Sequence, residues 1–215
     1  MFCNFSPATL EDYDTIGTIL TLPKGTILFR EADAGNRVYV LCIGHVKLSC
    51  ISKEGKMMNL KIASAGDVLG LSAVIAGSPF EVSAEALEPT TAKVIRRADF
   101  NAFLQRQGEA SLHAARALSE EYKSAFAEAR RLALSGSVSG RLATLLLEWG
   151  HVAACGNREM RFTMALTHDD LASFAATTRE TITRSMSKFQ SDKLIEIRGT
   201  SVHILEPEKL AALSS

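Results

Sequence analysis

The chain has 215 residues, 47% of them hydrophobic and 22% charged, with 24 basic residues balanced by 24 acidic ones. That composition suits a folded chain with two modest cores and excludes a disordered polymer. Zero net charge also excludes indiscriminate electrostatic binding to nucleic acid, so any such function has to rest on a local arrangement.

At the N-terminus, Met1-Phe2-Cys3-Asn4-Phe5-Ser6-Pro7 lacks the basic and long apolar regions of a secretory signal. No run of about twenty apolar residues follows, so no membrane span is expected. Cys3, Cys42, Cys50 and Cys155 are scattered, with no CxxC pair and no histidine at metal spacing. They read as free thiols of a cytoplasmic protein.

Residues 20–96 predict short strands. Turn signals recur at Pro23-Lys24-Gly25, Ala34-Gly35-Asn36, Gly44, Lys53-Glu54-Gly55-Lys56, Gly66-Asp67 and Gly77-Ser78-Pro79. Between them lie β-rich runs such as 38–42 and 46–51, and the spacing points to a small antiparallel barrel or sandwich. After residue 98 the pattern turns helical. Asp99 can cap a short helix carrying Phe100, Phe103 and Leu104. A long helix is predicted over 109–134, where Ala115, Leu118, Tyr122, Ala125, Ala129 and Leu132 recur at spacings of 3, 4, 3, 4 and 3. That is the seam of two parallel helices in contact; the alternative is a stripe packed on the chain's own barrel. Half of the seam is alanine, so it is not expected to hold a dimer unaided. Ser135-Gly136-Ser137 breaks the helix. The expected parts are 1–108, 109–135 and 136–215.

From 139 an amphipathic helix carries Leu142, Leu145, Leu146, Leu147 and Trp149. Further on, Thr167 and Asp170 form a capping-box pattern ahead of a short helix with Leu171, Phe174 and Ala175. A connection through Ala176, Thr177 and Thr178 follows, and either threonine can cap a second helix over 179–191. Ile182, Met186 and Phe189 form its buried stripe. Arg179 stands at its exposed start, with Glu180, Thr183, Arg184, Ser187 and Lys188 along the other side. Two short helices joined this tightly make a helix-turn-helix, whose second helix offers its first residues to the major groove. Arginine donates twice to guanine, glutamate accepts from cytosine, and Thr178 and the other hydroxyls reach bases or phosphates. Residues 194–205 predict a two-stranded hairpin turning at Gly199, a wing from which Arg198 can meet phosphate. The alternative is an ordinary helical hairpin with solvated charges.

Thr178-Arg179-Glu180-Thr181-Ile182-Thr183-Arg184 resembles the recognition-helix signature of the CRP/FNR family of transcription regulators, and Ser139-Gly140-Arg141-Leu142-Ala143 resembles the segment after that family's dimer helix. The two keep the family's spacing, and the resemblance covers nearly the whole chain. It implies an α+β fold: an N-terminal antiparallel β-roll like a cyclic-nucleotide-binding domain, a long dimerisation helix and a C-terminal winged helix-turn-helix. It implies a homodimer on a pseudo-palindromic, TGTGA-like operator of double-stranded DNA, with RNA polymerase as a further partner. An effector pocket would fall at Gly70, Leu71, Ser72, Val82, Ser83 and Phe126.

That pocket departs from the cyclic-AMP receptors. Leu71 stands where they place the ribose-binding Glu, Val82 where they place the phosphate-binding Arg, and Phe126-Ala127 where they place hydroxyls for the base. Between Gly66 and Ile95 the only cation is Lys93. Cys3 stands alone where the iron–sulfur branch has a cysteine cluster. Cyclic AMP and an iron–sulfur cluster are therefore disfavoured, and the effector stays unassigned. His45 and His113 lack the spacing of haem or metal ligands, while His168 and His203 read as surface or cap residues. No nucleophile has a paired base, which speaks against an enzyme. The reading from another class is a small-molecule sensor whose winged helix mediates protein contacts.

Overall fold

A computed structural model describes residues 2–55, 57–134, 137–154, 159–164 and 166–213, without the side chains of 131–134 and 152. Ser135, Gly136 and Cys155, and the side chain of Leu132, thus lie outside the described residues. The chain divides into two compact units, Met1–Ala125 and Phe126–Ser215.

In the first unit, α1 (Pro7–Asp14) precedes β1 (Thr18–Leu22), β2 (Ile27–Phe29), β3 (Arg37–Ile43), β4 (Val46–Ile51), β5 (Met57–Ala63) and β6 (Val68–Leu69). Then come α2 (Leu71–Ala76), β7 (Ser83–Ala86), β8 (Thr90–Arg96), α3 (Arg97–Arg106) and the first two thirds of α4 (Gly108–Leu134). The strands form two four-stranded antiparallel sheets, ordered β1-β8-β3-β6 and β2-β7-β4-β5. This is the expected antiparallel β-roll.

Strand β3 explains the two-layered core. Its Val38 and Val40 point into one cluster with Phe100, Phe103, Ala110 and Ala114 of the helices. Its Tyr39 and Leu41 point the other way, into the roll, against Phe29, Phe80, Ala84 and Ala92. A period-2 strand buried on both faces reads as a continuous apolar run rather than an alternating one. Lys93 of β8 is also buried, and its Nζ donates to the Tyr13 carbonyl at 2.6 Å and lies 3.9 Å from the centre of the Tyr13 ring. The desolvation this entails is offset by those two contacts and by the Asp14 carboxylate 3.5 Å away.

The short helix expected to be capped by Asp99 starts three residues earlier. Arg96 is its N-cap, in extended backbone and without a side-chain cap bond, and Asp99 sits inside the first turn. An acidic residue there suits the helix dipole as well as a cap would. Helices α1 and α2 are additions to the sequence reading; α1 announces itself only by proline at its first position.

In the second unit, α5 (Val138–Ala154) buries Leu142, Ala143, Leu145 and Leu146. It is followed by β9 (Met160–Thr163), α6 (His168–Phe174), α7 (Arg179–Ser191), β10 (Ile195–Arg198), β11 (Ser201–Ile204) and α8 (Pro207–Ala212). The expected two-stranded hairpin is the outer part of a three-stranded antiparallel sheet, β10-β11-β9. Gly150 lets α5 lie close on that sheet: a Cβ there would sit 2.8 Å from Ile204 and 3.2 Å from Met160.

Candidate nucleic-acid interface

The helix-turn-helix is held from three directions. Thr167 and Asp170 close a complete capping box on α6, so both groups satisfy donors that the helix start leaves open. Leu171, Phe174 and Ala175 are buried, as are Ile182, Met186 and Phe189 of α7. Phe174 meets the Trp149 indole edge-on at 5.6 Å, and Trp149 meets Phe162 in the same way at 6.2 Å. Arg141 of α5 donates from Nε to the Ala175 carbonyl at 2.8 Å, tying α5 to the end of α6.

The turn between α6 and α7 passes through Ala176, which adopts the left-handed φ of 48°. The Thr177 N–H reaches back to the Ala172 carbonyl at 2.9 Å, and Thr178, not Thr177, caps α7 by accepting from the Thr181 N–H. A left-handed alanine costs about 1–2 kcal/mol that glycine avoids, partly offset by glycine's greater freedom when unfolded. Ala176→Gly is therefore expected to raise the stability of the second unit by about 0.5–1 kcal/mol in urea unfolding; a loss of stability would show that the strain is relieved elsewhere.

Thr178, Arg179, Glu180, Thr183, Arg184, Ser187 and Lys188 are all exposed along one side of α7 or at its cap. Their charges are already organised. Hydrogen bonds from its own backbone N–H and from Thr178 hold the Glu180 carboxyl below the usual range, so it is an ionised, acceptor-only group. Arg184 Nε lies 3.4 Å from the Glu180 carbonyl. Arg179 is 3.5 Å from Asp169, and Arg198 in the wing is held by Glu196 at 2.7 Å. These exposed pairs contribute little to stability and can be exchanged for phosphate or base contacts.

One residue matters more here than its sequence reading allowed. His168 Nδ1 lies 2.8 Å from Thr183 Oγ1, whose own proton goes to the Arg179 carbonyl at 2.9 Å. His168 thus fixes the rotamer of Thr183 on α7. Its place at the first helical position of α6 is visible in the sequence, but the partner across the turn is not.

Along α4, Ala115, Tyr122, Ala125 and Ala129 are exposed, Tyr122 at 67%. Leu118 is half-buried and packs against the first unit's own core, so at that position the alternative of packing on the chain's own barrel applies. Leu112 and Phe126, outside the expected seam and within the expected pocket respectively, are 52% and 58% exposed.

Of the expected effector residues, Gly70, Leu71, Ser72 and Val82 line one small cavity of about 30 Å³ together with Phe29, Phe80, Glu81 and Glu121. Ser72 donates to Glu81 at 3.0 Å. Ser83 instead accepts from the Glu31 N–H at 2.9 Å, and exposed Phe126 is not part of this cavity. Lys93, the lone cation of that stretch, is committed to Tyr13. Two carboxylates, apolar walls and no free cation make a poor seat for a cyclic phosphate.

Two protein families match this chain: the Crp-like helix-turn-helix domain over residues 140–213 and the cyclic nucleotide-binding domain over 19–107. The chain is 28% identical to the transcriptional activator protein Anr of Pseudomonas protegens over 95% of its own length and 85% of that protein's. It is 26% identical, over 88% and 84% of the two lengths, to a CRP-like cAMP-activated global transcriptional regulator of Mycobacterium tuberculosis. Among solved structures it is similar to FixK2 of Bradyrhizobium japonicum, with a TM-score of 0.82 and 19% identity over 93% of this chain and 98% of that one. It is also similar to the c-di-GMP responsive regulator CLP of Xanthomonas campestris, with a TM-score of 0.77 and 21% identity over 93% and 99%.

Proposed function

The chain belongs to the CRP/FNR family of transcription regulators, with a sensor domain and a helix-turn-helix, and from that premise we propose that it reads a pseudo-palindromic operator as a homodimer. The observation that carries this is the exposed side of α7, where Arg179, Glu180, Thr183 and Arg184 stand on a buried Ile182–Met186–Phe189 stripe. Arg179 and Arg184 each face guanine and Glu180 faces cytosine, while Ser187, Lys188 and Arg198 meet the backbone. Two copies joined along α4 would set their recognition helices about 34 Å apart, one turn of DNA. The protein works in the cytoplasm and contacts RNA polymerase from promoter-bound dimers. The parts divide as 1–108, sensing; 109–135, dimerisation; and 136–215, DNA reading.

The effector is something other than cyclic AMP, for the cavity at Gly70–Val82 offers a phosphate no free cation. Arg184→Ala is expected to cost about 1–3 kcal/mol in operator binding and to relax the preference at one base pair. Selection from a random-sequence pool checks this, run with and without cyclic AMP. Equal motifs from variant and wild type would remove Arg184 from base reading. An operator enriched only with cyclic AMP would overturn the effector assignment. A protein that enriches no motif would leave the winged helix to protein contacts.

A further inference from the structure

We propose that the first unit holds a ligand site adjoining the Gly70–Val82 cavity, with which it shares Leu48, Leu69 and Glu121, and shaped for a small zwitterion with one carboxylate and one ammonium group, such as a free amino acid or dipeptide. The site is a cleft of about 370 Å³, within the range of small-molecule pockets. The N-terminal segment closes one side with Phe2, whose N–H is fixed to the Gly66 carbonyl at 3.1 Å. Lys61 and Asp67 come from the roll. His113, Arg116, Glu120 and Glu121 of α4 also line it; spacings of three and four put His113, Arg116 and Glu120 on one helix face, and Glu121 stands at its edge.

Four of the polar side chains of this cleft already have partners. Lys61 Nζ lies 3.4 Å from Asp67, Glu120 lies 2.7 Å from Lys123, and His113 Nδ1 donates to the Phe2 carbonyl at 2.8 Å. Among the described residues, that leaves Arg116 and Glu121 with neither an ion pair nor a hydrogen bond. Burial pushes the half-buried Glu121 carboxyl above its usual range; Lys61 pulls it down and Glu81 and Asp67 push it further up. A desolvated carboxylate gains most from a ligand that brings its own positive charge.

A simple anion on Arg116 would face Asp67, Glu120 and Glu121 in the same cleft. A simple cation on Glu121 would leave Arg116 uncompensated. A zwitterion satisfies both ends with charge-assisted hydrogen bonds. The two residues are about 7.5 Å apart along the helix axis and about 140° apart around it, so a ligand that meets both carries its two charges at separate ends, as an amino acid or dipeptide does. Such a ligand touches the roll and α4 at once. The inference stands independently of what the second unit binds.

Thermal unfolding of the full chain tests it, using the proteinogenic amino acids and their glycyl dipeptides at millimolar concentration. Sodium acetate and methylammonium chloride at equal ionic strength serve as single-charge controls. At least one zwitterion is expected to raise the unfolding midpoint where neither control does. Calorimetry with that compound should show a loss of about tenfold or more for Arg116→Gln and for Glu121→Gln. Arg116 is exposed and Glu121→Gln only removes a half-buried charge, so both variants should keep the wild-type circular dichroism. The idea fails if no zwitterion shifts the midpoint, if acetate or methylammonium alone does as well, or if binding survives both substitutions.

Discussion

Glutamate at both Tyr122 and Phe126 is expected to leave the chain monomeric and to weaken operator binding by about 10²–10⁴-fold, the range by which linked binding exceeds single-site binding. Both aromatics are among the most exposed large apolar side chains of the chain, at 67% and 58%, and they are neighbours one turn apart on α4. Burying such a ring against a second copy contributes about 1.5–3 kcal/mol, whereas a buried carboxylate facing its own symmetry mate costs several. The alanines of the seam add close approach but little area. Leu118 behaves differently: it packs on the first unit's own core, so a charge there should unfold the roll rather than separate copies. Light scattering gives the mass, and fluorescence anisotropy on an operator duplex gives the affinity. A dimer that survives the double substitution, with wild-type affinity, would place the interface on another surface.

The packing of Leu118 shows where the sequence was legible. A 3-4 spacing specifies a face, and α4 has two: one carrying Ala110, Ala114 and Leu118 into the chain's own core, and one carrying Leu112, Tyr122 and Phe126 outward. A helix with apolar residues on two faces spreads them too widely for one heptad frame to separate them. The helix-turn-helix was read nearly residue by residue, because its caps at Thr167 and Thr178 and its stripe at Ile182, Met186 and Phe189 are local in sequence. The missed elements depend on distant partners. Strand β9 is only Met160–Thr163 and exists because β11 supplies its hydrogen bonds. The Lys61–Asp67 and Arg116–Glu121 cleft draws on segments more than a hundred residues from the N-terminal Phe2 that closes it, so no local pattern marks it.

Phe174→Ala is expected to remove about 3–5 kcal/mol from the stability of the second unit. Phe174 is 2% exposed at the end of α6, with its ring edge-on to Trp149 of α5. It joins the helix that carries the Arg141 contact to the helix that positions the recognition helix. Its removal leaves a cavity that the capped, hydrogen-bonded ends of α6 cannot close, so little of the loss is recovered by relaxation. Trp149 is the chain's single tryptophan, so its emission reports this unit alone during urea unfolding. Phe174→Leu, which keeps most of the volume, should cost less than about 1.5 kcal/mol. Domains of this size hold about 5–15 kcal/mol, so the alanine variant should sit near the edge of folding at physiological temperature. It should then lose operator binding through its unfolded fraction, although no group on the exposed side of α7 has changed. Raising the stability again with Ala176→Gly should restore part of that binding. A Phe174→Ala protein that unfolds within about 1 kcal/mol of wild type, yet fails to bind, would show that the ring positions α7 directly.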